Sequence, residues 1–305
     1  MEKLLKLATL FAVLTFVGCA GKNDVIGGKP DVPEDPTKIP IHLATSVWTR
    51  VTDSSFEQND KVGLYVVNYD GSNAGTLANA GNHVDNMGFT YSPSTHWTPD
   101  SDIYWKDNAT MADFYCYYPY GEPSNVSAYP ITVNTDQSTD VGYKGSEFLW
   151  GKREGITPTA EPVAVTVKHV LSNVVVYVKP GNGFTEETLA SSDIAVKVCN
   201  VRTEATVNLA TGEASTAGSA KSVVPYDETG YYRALIIPQT IAANTALVIV
   251  SVNGVQYTYT PDKSIELKSN TQHKFTVTVN KVGGGVDIGV GGWDIDESDY
   301  GGSAE

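Results

Sequence analysis

The stretch "VAVTVKHVLSNVVVYVKP", residues 163–180, decides the fold. Val163, Val165 and Val167 fall at every second position, the spacing that lines one face of a pleated strand. A second valine-rich run follows from Val174 to Val178, and such residues are enriched in sheets. The pattern continues downstream in "DIAVKVCNV", "ATVNLA", "YYRALIIP", "ALVIVSV", "VQYTYT", "SIELK" and "HKFTVTVN". It also runs upstream through "KVGLYVVNY", "FTYSP", "DIYW", "MADFYCYYPY", "YPITV" and "SEFLWG". Short strands with turn signals at a spacing of roughly 8–12 residues argue for β-sandwiches. Helical periodicity never lasts beyond about two turns. Its best candidate is "TEETLASS", residues 185–192, and the segment from Asp70 to Gly88 reads as a Gly/Asn-rich loop.

The chain has 305 residues with 41% hydrophobic content, enough for one large domain or two ordinary ones. The proline-bearing stretch "REGITPTAEP", residues 153–162, separates two sets of strands. It predicts an N-terminal β-sandwich over 39–160 and a C-terminal one over 161–282. A net charge of −14 repels nucleic acid and anionic lipid, so neither is expected as a partner.

Both ends differ from this body. Lys3 and Lys6 precede the apolar run "LATLFAVLTFVG", and "FVGCAG" places Cys19 after small residues. This is the layout of a lipoprotein signal peptide over 1–18, with Cys19 as the acylated residue that anchors the chain to a membrane. Residues 19–38 are rich in Gly, Pro and Asp and read as a tether. "IPIHLATSVWTRV", residues 39–51, then opens as a strand: Ile39, Ile41, Leu43 and Val47 alternate before the basic Arg50 and then Val51. Pro40 suits an edge strand, because proline cannot donate to a central ladder. At the far end, Gly283 to Gly285 form a hinge for the tail 283–305. Val286, Ile288 and Val290 alternate beyond it, and Trp293 and Ile295 resume the alternation in the other phase after Gly291-Gly292.

Chemistry leaves few marks. There is no nucleophile-elbow, zinc-protease or phosphate-loop motif, and the chain reads as no enzyme, with no cofactor. His42, His83, His96, His169 and His273 show no metal-ligand spacing, and no metal is expected. His169 reads as a structural histidine. Cys116 and Cys199 lie in strand-like runs in different halves and read as buried free thiols; a disulfide is chemically permitted outside the cytoplasm. "DIDESDYG", from Asp294, lacks the glycine and distal glutamate of a calcium loop. Aromatics in "FYCYYPY", "IYW" and "HWTP" fit either sandwich core or a glycan-binding platform.

Four motifs in order resemble the fimbrillin family, the Bacteroidales type V pilins and fimbrillin-like lipoproteins. They are "TRVTDSSFEQNDKVGLYVV" (49–67), "ADFYCYYPYG" (112–121), "VTVKHVLSNVVVYV" (165–178) and "YYRALIIPQTI" (231–241). The resemblance implies an all-β chain of two tandem Greek-key, transthyretin-like sandwiches. It implies a pilus subunit that reaches the outer membrane as a lipoprotein and is cleaved by an Arg-specific or trypsin-like protease, here between Arg50 and Val51. Loss of residues 39–50 opens a groove. A strand from another pilin subunit, here 286–295 of a neighbouring copy, fills it. A host protein or glycan is a further partner such a subunit implies. The alternative is an uncleaved surface lipoprotein that binds glycans or host proteins.

Overall fold

The computed structural model describes residues 38–47 and 55–281. The expected signal peptide, Cys19, most of the expected tether, Arg50, Val51 and the tail with Val286, Ile288, Val290, Trp293 and Ile295 lie outside them. The described residues belong to one compact unit. They are built almost wholly of strands, as the period-two pattern predicts.

The first part contains β1 (Leu43–Val47), β2 (Lys61–Asn68), β3 (Val84–Ser92), β4 (His96–Pro99), β5 (Ala112–Tyr118) and β6 (Tyr129–Thr132). Helix α1 (Asp140–Lys144), β7 (Leu149–Ile156) and β8 (Val163–His169) complete it. All its strands except β6 form a seven-stranded sheet in the order β1-β8-β7-β5-β2-β3-β4. β2 and β5 are central and buried on both faces. Val62, Leu64, Val66, Phe114 and Cys116 point into one apolar cluster, and Tyr65, Tyr115 and Tyr117 point into another. Gly63 lies opposite Tyr117 in the ladder, and a Cβ there would collide with the Tyr117 ring. The strand β3 begins at Val84, inside the stretch expected to be loop.

The second part contains β9 (Ser172–Pro180), α2 (Glu186–Ala190), β10 (Ile194–Val207), β11 (Ala214–Val223), β12 (Tyr226–Glu228) and β13 (Tyr231–Ile236). It ends with β14 (Gln239–Ile241), β15 (Val248–Val252), β16 (Val255–Tyr259), β17 (Ile265–Leu267) and β18 (Thr271–Val279). The sheets β11-β10-β15-β16 and β12-β13-β9-β18 enclose a core, and β14 pairs with β17 as a short ribbon. Val196, Val198, Val248 and Val250 from one sheet share that core with Val174, Val176, Phe275 and Val277 from the other. Helix α2 lies in the predicted "TEETLASS" and is capped by Thr185, whose side chain accepts from the Thr188 N–H.

The strands do not divide at 160/161. β8 completes the seven-stranded sheet, so the change of sheet falls between His169 and Ser172. The prolines of 157–162 mark the turn between antiparallel β7 and β8, a role that proline fits as well as it fits a domain border. β6 also crosses over, pairing with β10 from Glu204↔Thr132 to Val207↔Tyr129. The two parts share apolar clusters: Tyr117, Phe148 and Val170 meet Val207 and Leu209 in one, and Val133, Tyr143 and Leu171 meet Leu235 and Ile237 in another.

Candidate functional site

The N-terminal strand and its bed form the candidate site. Ile41 and Leu43 are 2% and 5% exposed, His42 between them is exposed, and Ile39 is partly buried against the same cluster. The alternation read from the sequence therefore buries one face of the strand. Burying one such aliphatic side chain contributes roughly 1.5–3 kcal/mol. The bed belongs to the cluster holding Trp105, Phe114, Val163, Val165 and Val167.

The backbone is held on two different neighbours. β1 runs parallel to β8, in register from Leu43↔Val163 to Val47↔Val167. The Val163 N–H donates to the His42 carbonyl at 2.8 Å. Just upstream, Ile41 N–H donates to Ile103 O and Trp105 N–H donates to Ile39 O, both at 2.9 Å. Pro40 and Tyr104 form the antiparallel bridge between those bonds. Residues 103–105 follow β4, which ends the seven-stranded sheet opposite β1. Residues 39–47 thus bridge from one end of the sheet toward the other. On its far side, β8 pairs with β7 at Leu149↔His169 and Trp150↔Lys168. Most of the β8 ladder therefore depends on β1.

The next inward position of the strand is less well made. Thr45 is half-buried, and its Oγ1 is shielded with no hydrogen-bond partner among the described residues. Past the undescribed 48–54, Phe56 re-enters an aromatic box. Its ring lies 4.8 Å from Trp97 edge-on, 5.7 Å from Tyr118 and 6.2 Å from Tyr91.

The chain has four arginines, and the three inside the described residues are paired in strands. Arg153 in β7 faces Phe114, and Arg202 in β10 faces Ala220. Arg233 in β13 is 7% exposed, with its guanidinium 4.2 Å above the Tyr143 ring and an oxygen of Glu228 at 2.8 Å. Arg50 lies outside the described residues.

The remaining chemistry is structural. Cys116 and Cys199 are buried and free, and burial pushes the Cys116 thiol up to about 12. The His169 Nδ1 lies 2.8 Å from the Glu147 carboxylate. His273 accepts from the Lys268 N–H at 2.9 Å, and burial lowers its pKa. No group of three His, Cys, Asp or Glu side chains able to hold a metal occurs among the described residues. Trp97, Trp105, Tyr115 and Tyr117 are core residues, so they do not form a glycan platform.

Sequence reasoning missed two features. "DIYW" reads as a strand, but nothing local shows that Ile103–Trp105 holds residues 39–41. Gln137, in the polar run "NTDQSTD", is fully buried. Its Oε1 accepts from Leu235 N–H, and its Nε2 donates to Leu235 O, both at 2.8 Å. In the "IIPQT" motif, Gln239 works similarly on Arg202, accepting from its N–H at 2.9 Å and donating to its carbonyl at 3.1 Å.

Three comparisons bear on this geometry. The sequence profile of the fimbrillin-like family matches residues 49–293. The "Putative fimbrium subunit Fim1C" of Bacteroides uniformis is 24% identical, over 96% of this chain and 96% of its own length. Two crystal structures, each of a "putative cell adhesion protein", share the fold. The one from Bacteroides uniformis has a TM-score of 0.62 at 22% identity, over 84% of this chain and 98% of that one. The one from Bacteroides ovatus has a TM-score of 0.61 at 17% identity, over 83% and 96%.

Proposed function

We infer that this chain, which belongs to the fimbrillin-like family, is a structural subunit of a type V-like fimbria on the bacterial cell surface and serves adhesion. It is exported as a lipoprotein anchored at Cys19 to the outer membrane. An Arg-specific or trypsin-like protease cuts between Arg50 and Val51. Residues 39–50 then leave, and a strand from a second subunit takes their place.

The observation that carries this reading is the placement of residues 39–47. They lie at the edge of the sheet, where a strand can depart without splitting a central ladder. Departure frees the backbone groups of β8 and of residues 103–105 together with an apolar bed. An open edge of that kind is a template for strand addition.

Cleavage supplies the trigger. Before it, the first strand is tethered to its own groove and competes at an effective concentration of order millimolar. After it, the strand belongs to a separate peptide, residues 19–50, that keeps the anchor and is held to the body only by a few buried side chains. The tail of a neighbour is delivered by a folded subunit, and Val286, Ile288 and Val290 have the alternation of the strand that left.

The arginine distribution supports a single cut, because the three described arginines lie in paired strands while proteases need extended, accessible chain. The test is the N-terminal residue of the mature protein on its native cell surface. The expected residue is Val51. Arg50→Ala is expected to block maturation and abolish the ladder of polymers on unheated gels; normal assembly of that variant overturns the reading.

A further inference from the structure

We propose that the outer face of the β12-β13-β9-β18 sheet binds an acidic oligosaccharide, with Tyr177 and Tyr231 as its floor and Lys179 and Lys274 as its anion contacts. The proposal names a ligand class for the adhesion part of the reading above, and it rests on that part rather than on cleavage or strand exchange. Alternation fixes which side chains share the face. Val174, Val176, Phe275 and Val277 point into the core, with Tyr232 packed against it, so Tyr177, Lys179, Tyr231 and Lys274 point away from it. The register sets Tyr232 beside Val176, Lys274 beside Val175 and Lys179 beside Thr278. It thereby brings Tyr231 next to Tyr177, and their rings lie 5.5 Å apart with 33° between their planes. Both tyrosines are partly exposed, and both lysines are exposed. Neither tyrosine belongs to the aromatic strings "FYCYYPY", "IYW" and "HWTP".

A cross-strand tyrosine pair stabilises a sheet by itself, so the pair alone implies no ligand. The charges beside it do. Lys61, Lys144, Lys152, Lys221 and Lys268 each lie within ion-pair distance of a carboxylate. Lys179 and Lys274 have no such partner among the described residues, and the Lys274 ammonium lies instead 5.0 Å from the centre of the Tyr177 ring. On a chain of net charge −14, two uncompensated cations flanking one aromatic pair form a local positive patch that attracts an anion. In the ladder the two lysines fall on either side of Tyr177, about 14 Å apart between Cα atoms at the usual strand rise and spacing. That span exceeds one sugar ring and suits a short chain of them. A pyranose offers its C–H face to a tyrosine ring and its hydroxyls to Thr276 and Thr278, which share the face. A carboxylate or sulfate on the sugar meets an ammonium. Arg233 is no third anion contact, because Glu228 and the Tyr143 ring already engage it. An acidic peptide supplies the charge without the flat apolar face.

The test is a calorimetric titration of the full chain with four probes. They are a hyaluronan hexasaccharide, whose sugars carry carboxylates, a dextran sulfate oligosaccharide, neutral dextran of the same length, and hexaglutamate. Binding of at least one acidic saccharide is expected, with neutral dextran and hexaglutamate roughly tenfold weaker or worse, and whichever saccharide binds identifies the acid. Tyr231→Leu is expected to weaken that binding roughly tenfold, and Lys179→Ala with Lys274→Ala together by a similar factor. The lysine variants change exposed side chains only, so they test the site even where Tyr231→Leu disturbs the sheet. Lys197→Ala removes an equally exposed charge from β10 in the other sheet and is expected to leave binding unchanged. Failure of both acidic saccharides to bind overturns the proposal. Equal affinity for neutral dextran overturns the role of the lysines, and equal affinity for hexaglutamate overturns the saccharide class. An equal loss in Lys197→Ala overturns the location. Arg50→Ala, which probes cleavage and assembly, is expected to bind the saccharide like wild type, so a failure to assemble and a failure to bind are told apart.

Discussion

Gln137 does at one position what a neighbouring strand does along its length. Its side-chain amide accepts from the Leu235 N–H and donates to the Leu235 carbonyl, copying a backbone pair at the edge of the C-terminal strands. A third bond, from Nε2 to Asn134 O at 3.1 Å, ties the amide into its own loop. Replacing it by leucine keeps the volume and strands two buried backbone groups. Gln137→Leu is therefore expected to destabilise the fold by about 2 kcal/mol, read as a lower urea midpoint with unchanged slope; a midpoint equal to wild type refutes the role. The residue was not legible in the sequence, since a glutamine amid Asn, Asp, Ser and Thr looks like any solvated turn. Cys116 was more legible. Its place in "DFYCYYPY" marks it as core, and burial keeps its thiol protonated far above neutral pH.

The first strand was legible as a strand because its side chains alternate, and its partners were not, because pairing is a non-local property. Nothing in "IPIHLATSV" says that one half lies against β8 and the other against Ile103–Trp105. The same limit misplaced the break at 160/161. Composition records that a turn occurs at Pro158 and Pro162, but only the ladder shows that the strand after it stays in the first sheet. The alternation in "VAVTVKH" carried through to buried Val163, Val165 and Val167 because that signal is local. Since residues 39–47 hold this edge mainly through Ile41 and Leu43, a charge at position 41 should free the segment selectively. Ile41→Asp loses one aliphatic burial and buries a carboxylate, together about 3 kcal/mol or more against the docked strand. The amides of Val163 and Trp105 are expected to exchange with solvent faster, while those of Val250 and Val176 in the other core keep wild-type protection. Uniform loss of protection across both cores contradicts an independently releasable edge.

Across the described residues, lysines and arginines lie in different settings. The chain has seventeen lysines and four arginines. Lys106 and Lys263 are exposed in loops, whereas Arg153, Arg202 and Arg233 sit in ladders. Limited digestion with an Arg-specific protease is expected to yield one body beginning at Val51. A Lys-specific protease is expected to cut within it at Lys106 and Lys263. Mass spectrometry of the two digests decides, and an early cut at Arg153 or Arg202 contradicts the arrangement.

A subunit that accepts a strand at one end and gives one at the other grows as a chain, and the two capacities are separable by deletion. Removing residues 286–305 leaves every described strand in place, so the truncated protein should fold, be cleaved and open its groove. It can then accept a tail but has none to give. Added to the full-length protein, it should terminate growth at one end, and mean polymer length should vary inversely with the truncated fraction. Electron microscopy of mixtures at fixed total concentration measures this. The dependence on mixing ratio separates a chain terminator from an inert bystander, which leaves length unchanged. If the truncated protein alone forms polymers of normal length, the tail from Val286 to Ile295 is not the donor strand.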